Sequence, residues 1–390
     1  MMEPKIRFKG FEGEWKTSTI GEIAPLQRGY DLPTNNVISG TIPVVYSNGI
    51  LRFHNEGKCQ APAIITGRSG TIGKFTYIDH GEYWPHNTSL WVTTFHKNYP
   101  RFVYYFFQNV GFEKYATGSG VPTLNRNDIH KHIESIPSNK EEQQAIASYF
   151  TTLDSQISAS TSRLASLKQM KAASLQAMFP QEGETVPKIR FKGFEGEWKT
   201  CVLSSIATMH ARIGWQNLRK DEFLSSGDYY LITGTDFHDG KISFETCHYI
   251  DKERYNQDKN IQLETDSILI TKDGTLGKVA FVDSLNKPAT LNAGVFNVRT
   301  KDKEIYPKYL FQYLKAPYLM DYVNKNATGG TIKHLNQNML VNFPVQHPSY
   351  KEQVMIGDYL FNLDRQISLQ SQRLEKLKQI KSACLDKMFV

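Results

Sequence analysis

The fourteen residues PKIRFKGFEGEWKT occupy positions 4–17, and the same fourteen return unchanged at positions 187–200. A match of this length between two places 183 residues apart does not arise from composition. Either the chain contains two copies of one domain, or one short linker peptide is used twice. Self-similarity in the rest of the chain decides between these alternatives.

The repeat extends far beyond the opening peptide. Residues 141–179 align with residues 351–389 without a gap, and 19 of the 39 aligned positions are identical. Shorter islands recur in the same order: GTIGK (70–74) with GTLGK (274–278), and ATGSGVPTLNRN (116–127) with ATGGTIKHLNQN (327–338). The chain is therefore a tandem duplication with a shared start, a diverged middle and a strongly shared end.

The shared ends predict two long helices. Residues 141–179 contain no Gly or Pro, and residues 351–389 contain only Gly357. Ser138 and Ser349 each lie three positions before a glutamate, which is the spacing of a capping box. Apolar residues alternate steps of four and three, as in a coiled coil. The predicted seam consists of Ile146, Phe150, Leu153, Ile157, Leu164, Leu167 and Met178, and of Ile356, Leu360, Leu363, Ile367, Leu374, Leu377 and Met388.

Pairing of these two helices with each other explains the sustained period better than two separate surface helices do. Lys171 and Lys381 interrupt the seam at matching places, where a polar residue can fix register and partner. At about 1.5 Å per residue, some 40 residues form a rod of roughly 60 Å, which is the length of a spacer.

Composition fits a protein of the reducing cytoplasm. The chain has 40% hydrophobic and 22% charged residues, which are globular values that leave room for two domains. No apolar run reaches membrane-spanning length, and the opening residues MMEPKIRFKG lack the apolar stretch expected of a signal peptide. The four cysteines, at 59, 201, 247 and 384, have no CxxC spacing and no nearby His, so we expect no structural zinc or other metal site. A net charge of +7 weakly favours a polyanionic partner.

The diverged middles, residues 17–136 and 201–345, predict compact α/β domains with largely buried sheets. GRSGTIGKF is not a Walker A loop, because five residues separate Gly67 from Gly73 and Phe75 follows the lysine. The motif is either a structural β-turn or a turn that approaches a phosphodiester backbone, and the residues leave both alternatives open. The loops at 116–127 and 327–338 contain the Asn, Gln, Arg and Ser or Thr side chains that bind DNA bases and phosphates, although a solvated loop has a similar composition.

Neither middle carries a catalytic motif that we can identify. We find no [DN]-P-P-[YFW] or FxGxG motif of an adenosylmethionine-dependent methyltransferase, no nuclease-like acidic cluster and no HExxH. Retained landmarks with diverged middles favour a binding protein with two different specificities. They argue against a fused methyltransferase–endonuclease.

The ordered landmarks resemble the specificity subunits of type I restriction–modification systems over essentially the whole chain. The resemblance rests on the duplicated PKIRFKGFEGEWK openings, the GTIGK and GTLGK turns, the LNRND and LNQNM loops, and helices ending in KQMKAASLQAMF and KQIKSACLDKMF. It implies a mixed α/β fold with two target-recognition domains, separated by two helices that form an antiparallel intramolecular coiled coil in a pseudo-twofold repeat. The corresponding boundaries are a first recognition domain at 1–137, a central helix at 138–180, a linker and second recognition domain at 181–348, and a C-terminal helix at 349–390.

The resemblance also implies a non-catalytic subunit without a cofactor of its own. Its partners would be double-stranded DNA, two adenine-N6 methyltransferase subunits that use S-adenosylmethionine, and restriction subunits. Each recognition domain would recognise half of a bipartite DNA site, and the coiled coil would set the gap. A scaffold that binds only protein is the alternative function.

We predict that DNA is contacted by side chains from the glycine turns and the two loops. Lys74, Lys278, Arg68 and Lys272 are expected to contact phosphate, because the basic turn recurs in domains that should recognise different sequences. The full predicted set is Arg68, Ser69, Thr71, Lys74, Asn87, Thr123, Asn125, Arg126, Lys272, Thr275, Lys278, Asn292, Lys333, Asn336 and Gln337.

Overall fold

The computed structural model describes residues 3–118, 120–213, 218–301, 304–326 and 334–390. It divides into two compact units. The first unit comprises Met1–Thr161 with Gln372–Val390, and the second unit comprises Ser162–Ser371. Each unit thus combines one globular region with parts of both long helices.

The strands of the first unit are β1 Lys16–Thr19, β2 Leu26–Arg28, β3 Ile42–Tyr46, β4 Gly49–His54, β5 Cys59–Gln60, β6 Ala63–Gly67, β7 Phe75–Ile78, β8 Glu82–Pro85, β9 Ser89–Val92, β10 Ala116–Thr117, β11 Thr123–Leu124 and β12 Ile133–Ile136. Two larger sheets form most of its globular region. One is antiparallel, with strand order β2-β9-β6-β7, and the other has strand order β4-β3-β8-β5 and contains the parallel pair β3–β8. In addition, β1 pairs with β12 and β10 pairs with β11, both antiparallel.

Short helices cover the first antiparallel sheet. They are α1 Ile20–Ile23, α2 Pro100–Val110 and α3 Arg126–His130. Helix α2 begins with Pro100, whose fixed φ suits a first helical position, and it buries the aromatic face that includes Phe102 and Phe106. These rings share one core with Ile64 of β6 and Ile129 of α3.

The second unit repeats this plan with different residues. The strands are β13 Lys199–Val202, β14 Ala207–Ala211, β15 Tyr229–Ile232, β16 Phe237–His238, β17 Lys241–Ile242, β18 His248–Ile250, β19 Ile268–Thr271, β20 Val279–Phe281, β21 Ala289–Leu291, β22 Val295–Thr300 and β23 Pro344–His347. The antiparallel sheet has strand order β14-β22-β19-β20, and the mixed sheet has strand order β18-β15-β21. In addition, β13 pairs with β23 and β16 pairs with β17, both antiparallel. The short helices are α5 Leu203–Ile206, α6 Lys252–Asn256, α7 Pro307–Lys315, α8 Pro317–Lys325 and α9 Gln337–Val341.

Both predicted long helices are confirmed. Helix α4 spans Lys140–Met178 and helix α10 spans Tyr350–Met388. The predicted capping role of Ser138 is wrong. The side chain of Asn139 accepts the N–H groups of Glu141 (2.8 Å) and Glu142 (3.2 Å), because α4 begins one residue later than the capping box requires. Ser349 immediately precedes α10, as predicted.

The two long helices run antiparallel within each unit. In the first unit, Lys381 Nζ lies 2.6 Å from Asp154 Oδ1, and the Cys384 thiol lies 3.4 Å from the Tyr149 hydroxyl. In the second unit, Lys171 pairs with Asp364, and Ser174 Oγ lies 3.2 Å from the Tyr359 hydroxyl. Residue numbers rise on one helix as they fall on the other, so the predicted mixed α/β fold with antiparallel paired helices is confirmed.

Ten of the fourteen predicted seam residues are buried, and the other four, Ile157, Leu164, Ile367 and Leu377, are partly buried. The helix ends, however, pack into the globular cores as well as against each other. Ile146, Phe150 and Leu153 share the core of the first unit with Met388 and Phe389. Ile356, Leu360 and Leu363 share the core of the second unit with Met178 and Phe179. The heptad pattern therefore continues into two domain cores.

Each copy of the repeated fourteen residues joins its unit to the long helices. Arg7 forms a bidentate ion pair with Glu142, at 2.7 and 2.9 Å. Arg190 does the same with Glu352, at 2.9 and 2.6 Å.

No helix in the described part of the chain is long and apolar enough to cross a lipid bilayer.

Candidate nucleic-acid interface

The glycine motifs are tight turns at one end of each antiparallel sheet. The first joins β6 to β7, and the second joins β19 to β20. Gly73 and Gly277 have φ of +81° and +73°, where a side chain is strained. These backbone conformations favour glycine at both turns, and Arg68 and Lys272 directly follow β6 and β19 at the same end of their sheets.

Each glycine turn is hydrogen-bonded to the loop that carries the Leu-Asn dipeptide. The Leu124 N–H donates to the Arg68 carbonyl at 2.7 Å, and the Leu335 N–H donates to the Lys272 carbonyl at 2.8 Å. The structure thus brings together the two motif types predicted to bind DNA, through the same backbone hydrogen bond in both units.

The asparagine of each Leu-Asn pair caps a short helix. Asn125 accepts the N–H of Asn127 at 3.0 Å before α3, and Asn336 accepts the N–H of Met339 at 3.0 Å before α9. Their side-chain oxygens are therefore engaged in the protein, which leaves their amide nitrogens for a ligand.

In the first unit, the turn and the loop enclose an open concavity of about 410 Å³. Its polar lining consists of Arg68, Thr123, Asn125, Arg126 and Arg28. The first four are predicted site residues. Arg28 was missed, and no local signal marks it, because it arrives through the pairing of β2 with β9 opposite Leu90.

Positive charge dominates this concavity. Arg28 Nη2 lies 3.5 Å from Asp31 Oδ1, whereas Arg126 is exposed and has no ion pair within the described residues. Asp31 also accepts a hydrogen bond from the Asn87 side chain. Burial lowers the pKa of the neighbouring His86, so this imidazole adds little charge at neutral pH. The arrangement suits an anionic ligand such as DNA.

The equivalent place in the second unit has a different charge pattern. Lys272 Nζ lies 5.8 Å from the centroid of the Phe296 ring. Asp273 and His334 occupy the positions of Ser69 and Thr123, and Asp273 Oδ1 lies 2.5 Å from His334 Nδ1. Gln337 replaces Arg126 and donates from Nε2 to the Met209 carbonyl at 3.1 Å. One framework therefore presents two different sets of side chains.

The remaining predicted residues lie around these turns. Ser69 forms a β-bridge with Thr123 in the first unit. Lys74 donates from Nζ to the Asn48 carbonyl at 2.7 Å, next to the β3–β4 hairpin. Thr71 is exposed and Asn87 is partly buried.

In the second unit, Thr275 is exposed and its carbonyl accepts a hydrogen bond from the Thr271 hydroxyl. Lys278 is exposed beside Asp239 and Lys315. Asn292 is partly buried, and its N–H donates to the Ile232 carbonyl at 2.8 Å. Lys333 lies outside the described residues. Within the described ranges, no three His, Cys, Asp or Glu side chains are grouped to hold a metal ion.

The protein is a tandem repeat. It has two globular regions, and each is joined to the same pair of long antiparallel helices. Residues 12–169 and 195–379 both match the type I restriction modification DNA specificity domain, so the chain belongs to this family. The predicted resemblance is confirmed.

Two individual proteins illustrate the similarity. The type I restriction enzyme EcoBI specificity subunit of Escherichia coli is 22% identical over 260 residues, which cover 61% of this chain and 54% of that protein. The match thus spans about half the length of that relative. The crystal structure of a type I restriction-modification system S subunit from M. genitalium has a TM-score of 0.72 and 17% identity, over 100% of this chain and 99% of that chain. At this identity, the likeness shows the shared fold.

Proposed function

We propose that this chain is the DNA sequence-recognition subunit of a type I restriction–modification complex. Each globular region recognises one half of a bipartite target, and the paired helices set the gap between the halves. The observation that carries the proposal is the duplicated site. The same turn and Leu-Asn loop are joined by the same hydrogen bond in both units, yet the side chains differ.

The subunit contributes specificity rather than chemistry. Two methyltransferase subunits assemble with it and supply adenine-N6 methylation, using S-adenosylmethionine, and restriction subunits supply cleavage. The complex acts on DNA in the cytoplasm. The family membership and the absence of recognisable catalytic motifs in the sequence support this division of labour.

Selection from a random duplex library tests the proposal. The full chain, alone and with its methyltransferase subunits, is expected to enrich a motif of two defined halves separated by a nonspecific gap. Binding should weaken steeply between about 50 and 200 mM salt, because bound phosphates release counterions. Incubation of the chain alone with S-adenosylmethionine and enriched DNA should transfer no methyl groups.

A scaffold that binds only protein gives the opposite result. It would assemble with the other subunits but enrich no DNA motif, in either form, and show no salt-dependent affinity for duplex DNA. That outcome would overturn the proposed function.

A further inference from the structure

Three guanidinium groups from distant parts of the chain surround the concavity of the first unit. Arg28 ends β2, Arg68 begins the glycine turn, and Arg126 begins α3. All three carry the same charge, but the protein holds them differently, and this difference indicates which of them recognises a base.

Arg68 is the most firmly held of the three. Its N–H donates to the Thr88 carbonyl at 2.8 Å, and its carbonyl accepts the N–H of Leu124 at 2.7 Å. Its side chain is also fixed, because Nε donates to the Asn87 carbonyl at 3.0 Å. Within the described residues, Nη1 and Nη2 of Arg68 have no protein partner. A guanidinium that is fixed along one edge and free at its two terminal nitrogens presents a ready-made pair of donors.

The other lining or predicted cations, Arg28, Arg126 and Lys74, are arranged for simpler contacts. Arg28 is about half exposed and lies near Asp31, which competes for its donors. Arg126 is exposed, and no hydrogen bond to protein fixes its guanidinium within the described residues. Lys74 presents an ammonium group, which binds phosphate as a point charge. Among these residues, Arg68 alone combines a planar pair of donors with a fixed orientation.

Paired donors match one DNA base edge in particular. Guanine presents O6 and N7 side by side in the major groove, and a bidentate arginine contact to these two atoms is the most frequent specific contact to a base. In the second unit, the equivalent position carries Lys272, whose ammonium lies over the Phe296 ring next to the acidic Asp273. The same contact is therefore not built into the second unit.

We infer that Arg68 recognises a guanine, so the half-site bound by the first unit contains a G·C pair that depends on this residue. The inference rests on the proposed function. It revises the sequence-based expectation that Arg68 contacts phosphate as Lys74 does, because the structure holds the two side chains in different ways.

The test compares Arg68→Met with wild type, both assembled with the methyltransferase subunits, on the selected motif and on its single-base-pair variants. Arg68→Met should bind the optimal site about 10- to 100-fold more weakly, which is the value of one good bidentate contact. Its affinity for sites that lack the critical G·C pair should stay close to that of wild type. The preference for a G·C pair should therefore disappear at one position of the half-site bound by the first unit.

Three further variants separate base recognition by Arg68 from a general effect of charge. Arg126→Met is expected to weaken binding to all sequences alike and to lower the salt slope by about one unit. Lys272→Met should weaken overall binding but leave the base preference at every position of the first half-site unchanged. Arg68→Lys keeps the charge but loses the fixed pair of donors, so it should regain only part of the affinity lost at the optimal site and only part of the discrimination at the critical G·C pair. An unchanged thermal unfolding midpoint establishes that each variant is folded.

Two outcomes would overturn the inference, and they are distinguishable. If Arg68→Met weakens binding uniformly while the wild type still selects a bipartite motif, Arg68 contacts phosphate and the proposed function stands. If the wild type selects no motif at all, the proposed function fails and the inference fails with it.

Discussion

At the scale of single residues, the identity of the two fourteen-residue segments follows from what they contact. Arg7 pairs with Glu142, and the Phe8 ring lies 5.9 Å from the Tyr149 ring in a T-shaped contact. The second copy reproduces both contacts: Arg190 with Glu352, and Phe191 with Tyr359 at 6.0 Å. The helix partners are themselves identical between the two repeats. The two halves of the chain, which diverge elsewhere, therefore share one duplicated interface between the fourteen residues and a long helix.

Removal of Arg7 should destabilise the first unit. Glu142 has only 2% of its surface exposed, and it also accepts the Trp15 indole N–H at 3.3 Å. Arg7→Ala leaves a buried carboxylate without its cation, which costs about 3 kcal/mol of unfolding free energy. Chemical denaturation followed by tryptophan fluorescence measures the loss. Arg190→Ala should cost a similar amount in the second unit, because Glu352 is 1% exposed.

The matched control is Lys9→Ala, since Lys9 belongs to the same segment but is exposed. This change should stay within about 0.5 kcal/mol of wild type. Adding Glu142→Gln to Arg7→Ala should restore part of the lost stability, because a neutral amide is less costly to bury than an unpaired carboxylate. Equal midpoints for Arg7→Ala and wild type would show that this ion pair does not hold the segment.

At the scale of secondary-structure elements, two partly buried carboxylates join the long helices to the globular regions. Asp364 of α10 accepts hydrogen bonds from Lys171 of α4, and from Gln312 (2.8 Å) and Lys315 (3.2 Å) of α7. Asp154 of α4 occupies the equivalent place in the first unit. It pairs with Lys381 of α10 and accepts the Tyr105 hydroxyl of α2 at 2.8 Å. Each carboxylate thus fixes both the register of the paired helices and the packing of a short helix of the globular region, α7 for Asp364 and α2 for Asp154.

The two partners of the Lys171–Asp364 pair should respond unequally to substitution. Asp364→Asn leaves Lys171 and Lys315 facing each other without an anion, and should cost about 3–5 kcal/mol. Lys171→Met leaves Asp364 with Lys315 and Gln312, and should cost only about 1 kcal/mol. Urea denaturation at pH 7 compares the two. A larger loss for Lys171→Met would show that the lysine, rather than the carboxylate, organises the cluster.

The pH dependence of stability follows from the same cluster. Burial, with the Lys315 charge second, lowers the pKa of Lys171 to about 8 from an ordinary value near 10.5. The charged lysine is therefore less favourable in the folded than in the unfolded state. This cost is fully present below pH 8 and disappears as the pH rises towards 10.5. The destabilisation caused by Asp364→Asn should accordingly shrink between pH 7 and pH 10, whereas that of Lys171→Met should not.

Folding favours the charged form of Asp364, whereas it disfavours the charged form of Lys171. Burial raises the pKa of Asp364, but Lys315 and Lys171 more than offset this effect and lower it overall. The stabilisation from this carboxylate is present above its ordinary pKa and is lost as the pH falls through the lowered one. Wild type should therefore lose part of its stability below about pH 4, and Asp364→Asn should lose less there. If wild type and Asp364→Asn lose the same unfolding free energy as the pH falls below 4, this assignment is wrong.

The sequence predicts elements of this fold better than it predicts the site. The long helices could be recognised because their heptads repeat twice, almost free of Gly and Pro. Arg28 could not be placed, because its position depends on a strand pairing between residues some 60 positions apart. Asn139 displaced Ser138 as the cap because a one-residue shift of a helix start has no strong sequence signal.

At the scale of the whole molecule, the proposed function predicts that the length of the paired helices sets the gap between the two half-sites. Inserting four residues between Leu167 and Lys168, and four between Ile367 and Ser368, places the additions at about the same level in the second unit. This level follows from the antiparallel pairing of Lys171 with Asp364. Four residues add about 6 Å and turn a helix by about one full turn, so the seam stays roughly in phase. Because base pairs rise about 3.4 Å each, the doubly extended protein should select the same two half-sites with a gap longer by one or two base pairs.

The control for this extension lengthens the chain without lengthening the helices. Four residues inserted after Gly183 fall in an exposed stretch between α4 and the second copy of the fourteen residues. Since Arg190 still anchors that copy to Glu352, the selected gap should not change. Selection from a random duplex library, with each protein assembled with its methyltransferase subunits, measures all three gaps. If the doubly extended protein selects the wild-type gap with undiminished affinity, the helices do not set the distance, and the gap must be fixed by the partner subunits instead.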